Sequence, residues 1–309
     1  MSKVIVLTGA SDGIGAAAAQ ILADSGHQLI LVGRSEEKTK RVADQVKADR
    51  YFLADYEKLQ NVHRLADDIR ECCTRIDVLA NNAGGLFSGP VETSDGFERT
   101  LQVNHLAPFL LTHKLMDILL DSKASVVSTS SVAAKIFGDI NINDLNNWNK
   151  FNSNKAYGDA KLANILFTKG LHDRYHSRGL SSVAFHPGMI ATNFASDSGG
   201  YMKFVYHSAL KIFLKSTKKG GETLSYFING ESGIEWKSGE FYNPARKIGK
   251  TNPQADDVSL VKEHWELSTK MLGLNIEYPQ NYFLMIKLPY FCQMKLTMCQ
   301  SNYIICQIY

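Results

Sequence analysis

The chain has 309 residues, a formal net charge of +3, and 44% hydrophobic against 21% charged residues. This balance offers no basic stripe for nucleic acid, and no run reaches the roughly 18 apolar residues a membrane span needs. Five cysteines (Cys72, Cys73, Cys292, Cys299, Cys306) show neither metal-ligand spacing nor a disulfide framework, so no metal site and a reducing, cytoplasmic setting are expected. The N-terminus carries one early lysine and an apolar run of four, which reads as a first strand rather than a signal peptide.

The first predicted strand spans 3–8 and runs into the loop Thr8–Gly15, TGASDGIG, before an Ala-rich helix over 14–25. A glycine-rich turn between a buried strand and a helix N-terminus is an anion site. Free N–H groups and the positive end of the helix dipole meet there, and glycines let a pyrophosphate approach the backbone. A second strand at 28–33 completes a βαβ unit of the length that dinucleotide binding requires. A charged helix (35–47), a strand (50–54) ending at Asp55, and an amphipathic helix (57–73) follow. The spacing next predicts a strand at 76–80, a long helix near 96–120 and a strand at 125–130. Residues 134–154 are polar, Asn-rich and irregular. A helix near 156–178, a strand at 181–185, a long loop with a helical piece over 187–217, a helix at 219–229 and a short strand at 238–242 close the pattern. Strands alternating with helices predict an α/β fold, a single-domain doubly wound parallel sheet of Rossmann type with helices on both faces. The domain is placed at 1–278. Residues 279–309 have no sustained period, and Gln280–Tyr309 hold no acid and three of the five cysteines. A poorly ordered or non-native tail is expected there.

In such sheets ligands lie past the carboxyl ends of the strands. Thr8–Gly15, Gly33–Arg34, Asp55, Asn81–Gly84, Ser130–Ser131 and Pro187–Gly188 all fall at those ends. Tyr157 and Lys161 stand at i and i+4 on one helix face, where an ammonium pulls a tyrosine pKa down from about 10 toward proton exchange at working pH. Ser131 ends a strand, where a hydroxyl can bond a substrate oxygen or simply make a turn. Asn104 sits inside a helical pattern with Pro108 four residues on, and there it bends the helix or holds a water.

Taken in order, TGASDGIG, Asp55, NNAG (81–84), Asn104, VSTSS (127–131), Tyr157-x-x-x-Lys161 and Pro187-Gly188 resemble the short-chain dehydrogenase/reductase family over roughly residues 3–275. NNAG, VNHLAPFLLTH, YGDAKLANILFT and the 26-residue gap from Ser131 to Tyr157 are similar to its retinol-dehydrogenase-like branch. Many members of that branch carry an N-terminal membrane anchor, and none is expected here. The resemblance implies an oxidoreductase passing hydride between a nicotinamide cofactor and a small or apolar carbonyl or alcohol. Tyr157 would be general acid/base, Lys161 would lower its pKa and hold the nicotinamide ribose, Ser131 (or Ser130, one register away) would orient the substrate oxygen, and Asn104 would hold a water on the proton path. The cofactor would lie on Gly9, Ser11, Asp12, Gly13, Ile14 and Gly15, on Arg34 and Ser35, on Asp55, on Asn81, Ala83 and Gly84, and under Pro187, Gly188, Ile190 and Thr192. NAD-using relatives place an acid after strand 2. Gly33, Arg34 and Ser35 stand here instead, favouring NADP(H) over NAD(H), although Asp12 occupies a loop position where NADP-using relatives often carry a base. A homodimer or homotetramer accords with the family. A non-catalytic dinucleotide sensor or scaffold is the alternative, and a sugar-nucleotide epimerase is disfavoured by the glycine spacing. Aromatic residues in 189–215 (Phe194, Tyr201, Phe204, Tyr206, Phe213) suit either an apolar substrate lid or core packing. His186, His207 and Trp148 read as packing residues.

Overall fold

The computed structural model describes residues 2–188 and 217–275. The predicted loop over 187–217, with Ile190, Thr192 and the aromatic run of 189–215, lies almost wholly outside them, as does the 279–309 segment.

Seven parallel strands form one sheet in the order β3-β2-β1-β4-β5-β6-β7. They are β1 (Val4–Thr8), β2 (Gln28–Gly33), β3 (Arg50–Leu53), β4 (Val78–Asn81), β5 (Ser125–Thr129), β6 (Ser181–Phe185) and β7 (Glu240–Tyr242). β1, β5 and β6 read as near-continuous apolar or small-residue runs because both faces of a parallel sheet are covered. On one face lie α1 (Gly13–Asp24) and α2 (Glu36–Val46), with α9 (Thr217–Asn229) packed on α1. Ala18, Leu22, Val42, Leu224 and Phe227 share a core there with Ile5, Leu7 and Leu31 of the sheet. On the other face α3 (Leu59–Cys72), α5 (Ala107–Lys114) and α8 (Ser153–Tyr175) bury Val62, Leu65, Phe109 and Phe167 against Val6 and Val126. The chain builds outward from β1 to β3, then returns to add β4 on the other side of β1. The sheet therefore reverses direction between β1 and β4, which opens a crevice at their carboxyl ends.

Three local features differ from the sequence expectation. The long helix over 96–120 is a series: α4 (Arg99–Leu101), a π turn over Gln102–Leu106, α5, and α6 (Met116–Asp121). The π turn is centred on Asn104, the residue whose side chain competes with regular helix bonding. The 134–154 segment opens on one short helix, α7 (Ala133–Ile136), and the rest is latched by side chains. Asp159 of α8 accepts from the Asp139 amide (2.6 Å) and from Asn147 Nδ2 (2.9 Å), while Asn252 Nδ2 donates to the carbonyls of Ala134 (3.2 Å) and Gly138 (2.6 Å). Backbone groups that no ladder can reach are thus met from outside the segment by Asp159 and Asn252, and within it by Asp144, whose carboxylate accepts from the Trp148 and Asn149 amides (3.0 and 3.1 Å). Finally, the predicted pattern stopped at 242, yet α10 (Val258–Met271) follows, capped by Asp257, whose carboxylate accepts from the Ser259 and Leu260 amides. It inserts Trp265 among Phe109, Phe167 and Tyr175.

Candidate active site

A cleft of about 410 Å³ opens where the sheet reverses, and most sequence-selected residues line it. Its floor is the glycine loop. Gly9 has φ +66°, and a Cβ there would stand 2.8 Å from Ala83 Cα, so only glycine lets the loop lie against the β4 turn. The Thr8 hydroxyl donates to the Ala80 carbonyl (3.0 Å) and accepts from the amides of Asn82 and Ala83 (both 3.0 Å). Asn82 Nδ2 donates to the Thr8 carbonyl (3.0 Å). Here the structure corrects the sequence reading. Asn82, not Asn81, faces the cleft with Ala83 and Gly84; Asn81 is buried behind it and donates to Thr112 Oγ1 (3.0 Å). Asn81 ends β4 and Asn82 opens the turn beyond it, and sequence alone cannot say which of the two faces the ligand.

Tyr157 and Lys161 come from α8, whose start is fixed by Asn152 accepting from the Asn154 and Lys155 amides (3.0 and 3.1 Å). The Lys161 ammonium is buried, 5.6 Å from the centroid of the Tyr157 ring, and donates to the Thr129 carbonyl (3.2 Å). No carboxylate among the described residues pairs with it, and burial pulls its pKa down to about 7. Ser130 and Ser131 both line the cleft but make different bonds. Ser130 is buried and donates to the Lys161 carbonyl (2.7 Å), which ties β5 to α8. Ser131 accepts from the Ala133 amide (3.2 Å). Asn104 is fully buried: Nδ2 donates to the carbonyls of Gly85 and Thr100 (both 2.9 Å) and Oδ1 accepts from the Gly85 amide (3.1 Å). A Cβ at Gly84 would lie 2.5 Å from Asn104 Oδ1 and 3.2 Å from Lys161 Nζ, so a bare backbone here keeps these two groups together. Leu86, Ala133 and Tyr157 form an apolar cluster with Phe137 packed on it.

At the other end lie Ser11, Asp12, Arg34, Ser35 and Asp55. Asp12 caps α1 by accepting from the Gly13 amide (2.7 Å), and Ser35 caps α2 by accepting from the Lys38 amide (3.4 Å). Arg34 is largely exposed, with Nη1 3.8 Å from Glu57 Oε1. Asp55 Oδ1 accepts from the Glu57 amide (3.1 Å). A Cβ at Gly33 would meet the Ser11 Cβ at 2.9 Å, so the position where an acid would otherwise stand has no room for one. Lys38 is the residue missed by sequence reasoning. From the first turn of α2 its ammonium reaches Asp12 Oδ2 (2.9 Å) and lines the same end of the cleft. A lysine three residues beyond a Ser cap was the available signal, but its partner lies 26 positions away.

Pro187 and Gly188 line the cleft, as does His186, whose Nδ1 accepts from the Gly188 amide (3.4 Å). Trp148, read as a packing residue, is 41% exposed. The cradle of Gly9, Gly13, Ile14 and Gly15 at a helix N-terminus, cations at one end, and a buried ammonium at the other fit a nicotinamide dinucleotide.

Residues 3–200 match the short chain dehydrogenase family model. A candidate daunorubicin C-13 ketoreductase, DnrU of Streptomyces sp. (strain C5), is 34% identical over 277 residues, covering 88% of this chain and 93% of that one. Retinol dehydrogenase 12 of Bos taurus is 32% identical over 282 residues, covering 89% and 88%. Among solved structures, a candidate short chain dehydrogenase from Shigella flexneri 2a str. 301 complexed with NADP superposes with a TM-score of 0.61 at 28% identity, covering 79% of this chain and 97% of that one. Among the described residues no helix is long and apolar enough to cross a membrane, and no cluster of His, Cys, Asp and Glu could hold a metal ion. With sheet order, glycine cradle and sequence likeness agreeing along most of its length, the chain belongs to the short-chain dehydrogenase/reductase family of oxidoreductases, in its retinol-dehydrogenase-like branch.

Proposed function

We propose that this protein is an NADP(H)-dependent oxidoreductase of apolar carbonyl and alcohol substrates, with Tyr157 as the general acid in reduction and the base in oxidation. The observation that carries this reading is the buried Lys161 ammonium beside the Tyr157 ring in the same cleft as the glycine cradle. When bound, a nicotinamide dinucleotide would supply or accept the hydride. Everything else falls to side chains of this chain. Gly9, Ser11, Gly13, Ile14 and Gly15 receive the pyrophosphate, and Asp55 receives the adenine. Lys161, its charge desolvated, favours tyrosinate and keeps Tyr157 ready to exchange a proton. Ser131 donates to the substrate oxygen where negative charge develops. Asn104, fixed by Gly85 and Thr100, holds its place beside Lys161 for a water on the proton path.

NADP(H) is favoured over NAD(H) by Arg34, Lys38 and the absence of room for an acid at Gly33. The NADP complex of the Shigella flexneri neighbour supports the same choice. The apolar wall of Leu86, Ala133 and Phe137, and relatives named for daunorubicin and retinol, point to a bulky apolar ketone, aldehyde or alcohol. A panel of aliphatic, aromatic, polyene and charged aldehydes and ketones, each assayed with NADPH and NADH, tests this. Turnover is expected with apolar members and NADPH. Turnover confined to charged substrates, or faster with NADH throughout, overturns it.

A further inference from the structure

Far from the cleft, α3 ends in two adjacent cysteines. Neighbouring residues on a regular helix or strand point their side chains apart. Here Cys72 is the last helical residue and Cys73 is already extended (φ −133°, ψ 118°). The break in backbone geometry swings both side chains to one side, and the two Sγ atoms lie 3.2 Å apart. The Cys72 thiol donates to the Ile69 carbonyl (3.4 Å) and is exposed, while Cys73 is buried beside Ile69 and Ile76. Both are free thiols. α3 runs back to the amino ends of the strands, so the pair sits near the start of β3, beside Asp49 and Arg50, while the cofactor cleft lies at the carboxyl ends.

We propose that Cys72 and Cys73 form a vicinal dithiol site that captures trivalent organoarsenicals and comparable soft thiophiles of the R–As=O class. Two sulfurs at this separation can be bridged by one soft atom without moving the helix. No further His, Cys, Asp or Glu among the described residues completes a zinc-like set of four, so the ligand is one that needs only two protein sulfurs and brings its own third substituent. In the condensation, two As–S bonds form, two S–H bonds break, and the oxygen leaves as water with both protons. Arsenic stays trivalent and nothing is oxidised. Because neutral thiols suffice, the reaction tolerates a Cys73 thiol pushed up to about 12 by burial and by its neighbour, a state that slows one-thiol alkylation, which needs thiolate.

The test is titration of the folded, full-length chain with phenylarsine oxide, with glutathione in excess to strip single-thiol adducts, read by intact mass and then by peptide mapping. Cys72→Ser, Cys73→Ser and Cys73→Ala are run beside the parent. The expected result is one adduct in the parent on the peptide spanning Glu71–Arg75, removed by 2,3-dimercaptopropanol and lost in every single-cysteine variant. NADPH affinity should change less than about 2-fold on capture, because the site lies at the amino ends of the strands and the cleft at their carboxyl ends. An adduct that maps only to Cys292, Cys299 or Cys306, or that survives in either the Cys72 or the Cys73 variants, overturns the site. The peptide map of the parent decides the question even where a variant fails to fold.

Discussion

At the residue scale, two lysines carry the proposed chemistry in different ways. Lys161 is a buried cation whose pKa falls from 10.5 to about 7 through desolvation. Between those two values the unfolded chain binds a proton that the folded chain does not, so folding stability rises with pH across that window, and below about pH 7 the full burial cost is felt. Lys161→Met is therefore expected to melt at least about 2 °C higher than the cofactor-free parent at pH 7. The difference should shrink toward pH 10, while activity falls at least about 100-fold. Thermal melts across pH check this; a parent whose stability is flat between pH 7 and 10 contradicts it. Lys38 acts at the other end. Its ion pair with Asp12 is half exposed and worth little to the fold, but it offsets the one acidic group of the glycine loop and leaves further N–H donors for a 2′-phosphate. Losing a charge-assisted hydrogen bond costs about 1.5–3 kcal/mol, so Lys38→Ala should weaken NADPH and 2′,5′-ADP about 10-fold or more and NADH less than about 2-fold. Arg34→Ala should act in the same direction. Calorimetric titration of the three ligands reads the difference, and equal weakening of NADH would remove both residues from phosphate selection.

At the element scale, the helix around Asn104 shows what the sequence could and could not reveal. Asn104 stood out as a poor mid-helix residue, and the π turn over Gln102–Leu106 is the consequence. Its bonds to Gly85 reach across to the β4 turn, and no periodicity encodes a partner in another element. The parallel strands were legible because burial on both faces leaves continuous apolar runs, and the motifs were legible because glycines and strand ends have fixed meanings. The Ser130/Ser131 choice was not, since it depends on which hydroxyl meets the Lys161 carbonyl. α10 escaped notice because it follows a long irregular stretch and begins with Val258, 78% exposed. That helix brings His264 against His105, with ring centroids 4.6 Å apart and both residues buried. Burial holds His105 down to about 4 and His264 well below 6.5. Folded-state values below the unfolded one mean that this contribution is complete above about pH 6.5 and is lost as pH falls toward 4. The parent should lose melting temperature between pH 6.5 and 5 more steeply than His264→Leu; parallel curves would show that the pair does not govern acid stability.

At the scale of the whole molecule, the sheet reversal between β1 and β4 gathers the site. Residues from the β1, β2, β3, β4, β5 and β6 ends and from α8 meet in one cleft, although they are spread from Gly9 to Gly188. The fold supplies a dinucleotide cradle that many chemistries share; under the proposed function, the pair on α8 is what would make this one a proton-coupled hydride transfer. The most direct measurement compares the parent with Tyr157→Phe, which removes one hydroxyl and keeps the ring against Leu86 and Ala133. NADPH affinity is followed by titration and NADPH oxidation by turnover on the best apolar carbonyl of the panel. NADPH binding is predicted to stay within about 2-fold while turnover falls at least about 100-fold. Equal turnover in the two proteins would contradict the assignment of Tyr157 as the acid and base of this enzyme.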